Sequence, residues 1–102
     1  MFTRVSAIDL TTGKRQVAAS IKVQDDLDRN VFGATVIGTW TLPDNSTQTV
    51  TGTTDGFGTA QFQIDKARRG TYTFTIEDVV LDGFVFDRDN SVLSASITKG
   101  KQ

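Results

Sequence analysis

Between Gly33 and Leu42 the chain reads Gly-Ala-Thr-Val-Ile-Gly-Thr-Trp-Thr-Leu, and its strict alternation places Ala34, Val36, Gly38, Trp40 and Leu42 on one side. A period of two marks a strand with one buried face. Trp40 is the only tryptophan, and an indole needs a neighbouring layer to cover it. Gly38, two residues away on the same face, leaves room for a bulky partner. The stretch therefore predicts a strand in a layered β structure, and it constrains the architecture far more than the activity.

The rest of the chain supplies candidates for the covering layer. Thr3 to Leu10 offers Val5, Ile8 and Leu10 as inward groups, and the phase slip between Val5 and Ile8 predicts a bulged or sheet-switching edge strand. Thr11 to Lys14 is the turn that ends it. Gln16 to Gln24 alternates cleanly, with Val17, Ala19, Ile21 and Val23 on one side. Asp25 to Asn30 breaks the pattern and reads as a surface loop. Pro43 to Ser46 is a turn, with proline holding φ near −65°. Thr47 to Thr53, threonine-rich and apolar only at Val50, suits an exposed edge.

Thr54 to Gly58 is a second turn, in which two glycines can take positive φ. Thr59 to Asp65 points Ala60, Phe62 and Ile64 inward, and Lys66 to Gly70 closes it. Thr71 to Val79 alternates Tyr72, Phe74 and Ile76 against Thr71, Thr73, Thr75 and Glu77, which makes it the best partner for the Trp40 strand. A short apolar piece, Phe84 to Phe86, precedes the polar loop Asp87 to Asn90. Ser91 to Thr98 is the last strand, with Leu93, Ala95 and Ile97 inward, and the tail Lys99 to Gln102 is expected to fray.

No window of eleven or more residues carries helical spacing, so helix content near zero is predicted. About seven strands with polar turns between them make an all-β fold, a two-sheet antiparallel β-sandwich. Tryptophan on the third strand and an aromatic-rich sixth fit its immunoglobulin-like version. Tyr72, just after Gly70, either makes a corner hydrogen bond through its hydroxyl or is an ordinary half-buried tyrosine. The 102 residues form one domain, residues 1–102, able to bury roughly 60–68% of the surface of its unfolded chain. It is expected to be part of a longer protein and to be monomeric.

Composition removes several chemistries. There is no cysteine, hence no disulfide, thiol catalysis or thiolate metal site. There is no histidine either, the side chain most used for acid–base work near neutral pH. With 11 basic and 12 acidic residues the net charge is −1, so no overall field draws nucleic acid or anionic lipid. The N-terminus carries no apolar run of signal-peptide length, and no run of about 18 apolar residues occurs. Neither nucleic-acid binding nor membrane insertion is expected.

Four constellations could still carry chemistry. Asp87, Asp89 and Asn90 form a D-x-D-N set of oxygens of the kind that Ca²⁺ takes, but the glycine and bidentate glutamate of an EF-hand loop are missing, which favours a solvated turn. Asp25, Asp26 and Asp28 make a second acidic loop with the same deficit, and the two could share an ion only if they fell at one end. A glycosidase pair needs two carboxylates about 5–10 Å apart across a cleft, and Glu77, the one glutamate, faces outward. Lys66, Arg68 and Arg69 form a basic cluster without interleaved aromatics, which reads as a solvated loop. Phe2, Phe32, Phe57, Phe84 and Phe86 lie at or beside loops, where rings usually cap the core; Phe57, between two glycines, is the best placed to face a sugar or a protein. No catalytic, cofactor-binding or metal-binding residue is assigned, and no cofactor is expected.

Three segments resemble bacterial immunoglobulin-like modules: Gly33 to Val36 with Gly38 and Trp40, Thr54 to Phe62, and Gly70 to Val79. Modules of that kind occur as repeats in surface adhesins and as appendages of secreted hydrolases. Asp28 and Asn30 stand where such modules often carry Gly and Pro, and both tolerate left-handed backbone. Thr53 and Ala60 stand near positions where some of them carry cysteines. The resemblance implies a non-enzymatic structural, spacer or adhesion module of an exported or cell-surface protein, whose partners are the neighbouring domains of the parent chain. The competing expectation is a module that binds carbohydrate or protein through loop aromatics, with or without Ca²⁺.

Overall fold

The alternating segments become strands in a computed structural model that describes residues 1–100. They are β1 (Phe2–Thr12), β2 (Gln16–Asp25), β3 (Thr35–Thr41), β4 (Thr47–Thr53), β5 (Thr59–Asp65), β6 (Gly70–Val80), β7 (Val85–Phe86) and β8 (Ser94–Lys99). The only helical turn among the described residues is a 3-10 turn at Arg88–Asn90. The strands form two four-stranded sheets, in the orders β5-β2-β1-β7 and β4-β3-β6-β8. Seven antiparallel strands were expected; the eighth is the two-residue β7, and it pairs with β1 in parallel, Phe2 opposite Val85 and Thr3 opposite Phe86. Two residues are too few to show a period, so this piece had no strand signature of its own.

Alternation sets which side chains meet between the sheets. Val5, Val17, Ala19, Ile21 and Val23 from one sheet face Ala34, Val36, Trp40, Tyr72, Phe74 and Ile76 from the other, all buried. Trp40 is fully buried and lies edge-on to Phe74, its partner across the β3–β6 ladder, with ring centroids 4.9 Å apart. Phe62, from the opposite sheet, stacks on Phe74 at 5.2 Å. The gap left by Gly38 is filled by that same Phe74 ring: a Cβ added at Gly38 would stand 2.2 Å from Phe74 Cζ. Among the described residues the Trp40 indole N–H meets no hydrogen-bond acceptor.

Two slips in register bend the sheets. One lies between Val5 and Ala7 on β1, within the Val5 to Ile8 interval where the phase slip predicts it. The other, opposite Ile37 and Gly38, leaves Glu77 unpaired on β6 and moves the inward phase from Ile76 to Val79. Ahead of the first slip β1 is covered, because β7 pairs with Phe2 and Thr3 and the Val92 N–H donates to the Val5 carbonyl; from Ala7 to Thr12 it pairs only with β2 and is the edge strand expected.

The C-terminal strand departs from expectation as well. Lys99 was expected in a frayed tail but is buried, and its ammonium donates to the carbonyls of Gly13 at 2.7 Å and Lys14 at 3.2 Å. It thereby clamps β8 of one sheet to the β1–β2 turn of the other. Of the expected tail, Gly100 is exposed beyond the end of β8, and Lys101 and Gln102 lie outside the described residues.

Candidate functional site

Strands that run alternately up and down collect alternate turns at the same end of the body. The turns 13–15, 42–46 and 66–69 share one end with Lys99, whereas 25–30, 54–58 and 81–84 share the other with Met1. The two ends differ chemically. Lys14, Arg15, Lys66, Arg68 and Arg69 stand in the first set of turns against Asp44; Asp25, Asp26, Asp28, Asp55 and Asp82 stand in the second against Arg29. A neutral sequence thus folds into a body with one basic and one acidic end.

The acidic end is also the apolar one. Leu27, Phe32 and Phe57 are 63%, 72% and 74% exposed, and Met1, Phe2 and Val85 are exposed beside them. The expectation that loop phenylalanines cap the core holds only in part: Phe84 and Phe86 are half-buried, but Phe2, Phe32 and Phe57 are not. Phe57 is pushed outward by its turn. The Asp55 carboxylate accepts the Phe57 and Thr59 backbone N–H groups at 2.9 and 3.1 Å, and Gly58 takes φ +74°. A Cβ at Gly58 would meet the Val23 carbonyl oxygen at 2.6 Å and Val31 N at 3.1 Å. The glycine lets the turn pack onto the strand end with its ring facing water. Lys22 Nζ then donates to the Phe57 carbonyl at 2.7 Å and holds the turn in place.

Next to this turn, Thr54 is buried and serves both neighbours. Its hydroxyl oxygen accepts the Ala34 N–H at 2.9 Å, and its backbone N–H donates to the Ala34 carbonyl at 2.9 Å. In the neighbouring loop the buried Asp25 carboxylate accepts the backbone N–H groups of Leu27 and Arg29 at 2.8 and 2.9 Å, and the Arg29 Nε–H at 2.8 Å. The Arg29 backbone bond, followed by the Leu27 bond and the guanidinium, outweighs burial and holds its pKa below the usual aspartate range. Asp28 sits at φ +61° and pairs with Arg4, as its tolerance of left-handed backbone predicts.

The remaining candidates are placed as follows. Asp87 Oδ2 accepts the Asn90 amide at 2.7 Å, and the Asp87 carbonyl accepts the Ser91 hydroxyl at 2.6 Å. The two acidic loops do come together, since Asp26, Asp87 and Asn90 line one shallow hollow, but Arg4 lines it too. Among the described residues no group of three acidic, histidine or cysteine side chains is spaced to hold a metal ion. Glu77 is exposed on its bulge, and its carbonyl, not its carboxylate, takes the Arg88 guanidinium. Tyr72 resolves the two alternatives left by the sequence: its ring is buried and its hydroxyl donates to the Arg68 carbonyl at 2.8 Å, four residues upstream.

That corner borders a groove of about 500 Å³ at the basic end. Its lining is mixed: Leu42, Pro43, Ile64 and Ala67 are apolar, Lys66, Arg68 and Arg69 are basic, and Asp44 and Asp65 are acidic. Lys66, Arg68 and Arg69 are exposed, as a solvated loop has them, and they share this groove. On the outer face of the β5-β2-β1 sheet, a second groove of about 370 Å³ runs between Asp9, Ser20, Gln61 and Gln63 and holds no reactive pair. No helix among the described residues is long and apolar enough to cross a membrane. The chain matches no protein-family model, no curated protein and no solved structure.

Proposed function

We propose that the chain is an immunoglobulin-like module that acts as a non-catalytic spacer or adhesion unit of an exported or cell-surface multidomain protein. The strand order supports the immunoglobulin-like assignment: β2 lies between β1 and β5 in one sheet, and β3 lies between β4 and β6 in the other, with β8 outside β6. The buried tryptophan on β3 and the Tyr72 corner bond support it further. The parallel β7 is an addition to that plan.

The observation that carries the spacer role is the position of the chain ends. Met1 and Lys99 lie at opposite ends of a body measuring 43 × 23 × 18 Å, so a neighbour on each side continues the long axis. The outward face of the β4-β3-β6 sheet between them carries Thr35, Thr39, Thr41, Thr47, Thr49, Thr51, Thr71, Thr73 and Thr75, neutral and suited to strands. Thr71 and Thr73 bond to Thr98 and Ser96 across the β6–β8 ladder at 3.1 and 2.8 Å, which stiffens that face without making it reactive.

The exposure of Phe32 and Phe57 favours a second reading, a module that takes up carbohydrate or protein at its acidic end. Thermal melts with millimolar Ca²⁺ and with a panel of polysaccharides separate the two, because a ligand that prefers the native state raises the midpoint. The spacer role predicts an unchanged midpoint throughout. A rise that disappears in Phe57→Ala would replace it with the binding role.

A further inference from the structure

We propose that the Phe57 turn of one copy of this chain seats in the Lys66–Arg69 groove of a second copy, in a head-to-tail contact. The inference rests on the spacer reading and names the surfaces through which successive modules meet.

Three features point to a second copy as the occupant. The first is charge: the knob carries Asp55 beside Phe57 and Asp26 in the adjoining loop, where Asp25 and Asp28 are paired with Arg29 and Arg4, and the groove carries Lys66, Arg68 and Arg69 against Asp44 and Asp65. Each end repels its own kind and attracts the other, which favours a heterologous contact over a two-fold one. The second is shape. A ring that is 74% exposed at a turn tip is small enough to enter a concavity of about 500 Å³ that offers it Leu42, Pro43, Ile64 and Ala67. The third is rigidity: the Asp55 bonds to the Phe57 and Thr59 N–H groups and the Lys22 bond to the Phe57 carbonyl fix the knob before it binds. Preorganisation of that kind lowers the ordering penalty of association.

Size places the contact in the weak class. An end face of 23 × 18 Å spans about 400 Å², about half of the roughly 800 Å² per partner of a standard stable interface. Free copies are therefore expected to be monomers when dilute. Copies held in one chain meet at millimolar effective concentration through a short linker and engage the same surfaces.

The test is a set of ¹⁵N–¹H spectra of the full chain between roughly 50 μM and 2 mM, a range that brackets a millimolar Kd. Two groups of amides, around Phe32, Phe57 and Gly58 and around Lys66 to Gly70, are expected to shift together with concentration. The shifts are expected to shrink in about 0.5 M salt, where the screening length falls below 5 Å. Phe57→Ser and the double variant Arg68→Glu/Arg69→Glu are each expected to show no such shifts alone, and both alter exposed side chains, with folding checked by the buried emission of Trp40. Mixed together they are expected to form one complementary pair, with shifts at the knob of the arginine variant and at the groove of the Phe57 variant. Invariant spectra at 2 mM, shifts at one end only, or shifts along an edge strand would overturn the proposal. Those results leave the spacer role intact, since that role falls only if a ligand raises the melting midpoint.

Discussion

Gly38→Ala is the most direct test of how the core is closed. The added methyl would stand 2.2 Å from Phe74 Cζ, 2.7 Å from Cε2 and 3.0 Å from Cε1, so the ring has to retreat. Its retreat is blocked by Trp40 edge-on at 4.9 Å and by Phe62 stacked at 5.2 Å. Overpacking of this kind costs about 1–3 kcal/mol, and the tight fit puts it at the upper end. Replacing a strand glycine by alanine returns about 0.5–1 kcal/mol of backbone entropy. The net expectation is a loss of about 2 kcal/mol, a fall of about 8–16 °C in Tm for a domain of this size. Urea titration followed by Trp40 fluorescence should show a lower midpoint with an unchanged slope. Phe74→Leu, which trims the ring, should partly rescue the variant, with a coupling of about 1 kcal/mol or more in the double-mutant cycle. A Gly38→Ala protein as stable as the parent, or more stable, would refute the idea that this ring occupies the space above the glycine.

Three further outcomes are expected. Tyr72→Phe removes the bond to the Arg68 carbonyl and should lower stability by about 0.5–1.5 kcal/mol, measured by the same titration. Thr54→Val keeps the shape but leaves the buried Ala34 N–H without its acceptor, which should cost about 1–3 kcal/mol and speed exchange of that amide. The lowered pKa of Asp25 contributes stability that is present above the unfolded aspartate value, about 3.9, and is lost as pH falls through the lower folded value. Asp25→Asn should therefore be less stable at pH 7 and show a flatter decline in acid; an acid limb parallel to that of the parent would count against the assignment.

Periodicity reads a strand well when its two faces differ in polarity. The stretches Gln16 to Gln24 and Gly33 to Leu42 do, and β2 and β3 fall within them or within one residue of them. The Ser6 bulge is visible because Val5 and Ile8 are three apart; the same spacing from Ile76 to Val79 marks the Glu77 bulge, a signal that the clean alternation before it conceals. β7 is too short to have a period, and its parallel partner is more than eighty residues away in sequence. Phe57 looks like a core residue by type alone, and the Asp55 turn and the packing of Gly58 turn it outward. The opposed charges of the two ends are in the sequence as alternate turns, but they become a pattern only once strand direction is known.

The placement of the chain ends also determines how a pull is borne. Force entering at Phe2 and leaving at Lys99 runs along the strands, sliding β1 against β2 and β8 against β6. Sliding loads every rung of a ladder at once, whereas peeling would open the rungs one after another. The short β1–β7 pairing is the part that yields first, and the longer β1–β2 ladder, from Thr3 to Thr12, holds after it is gone.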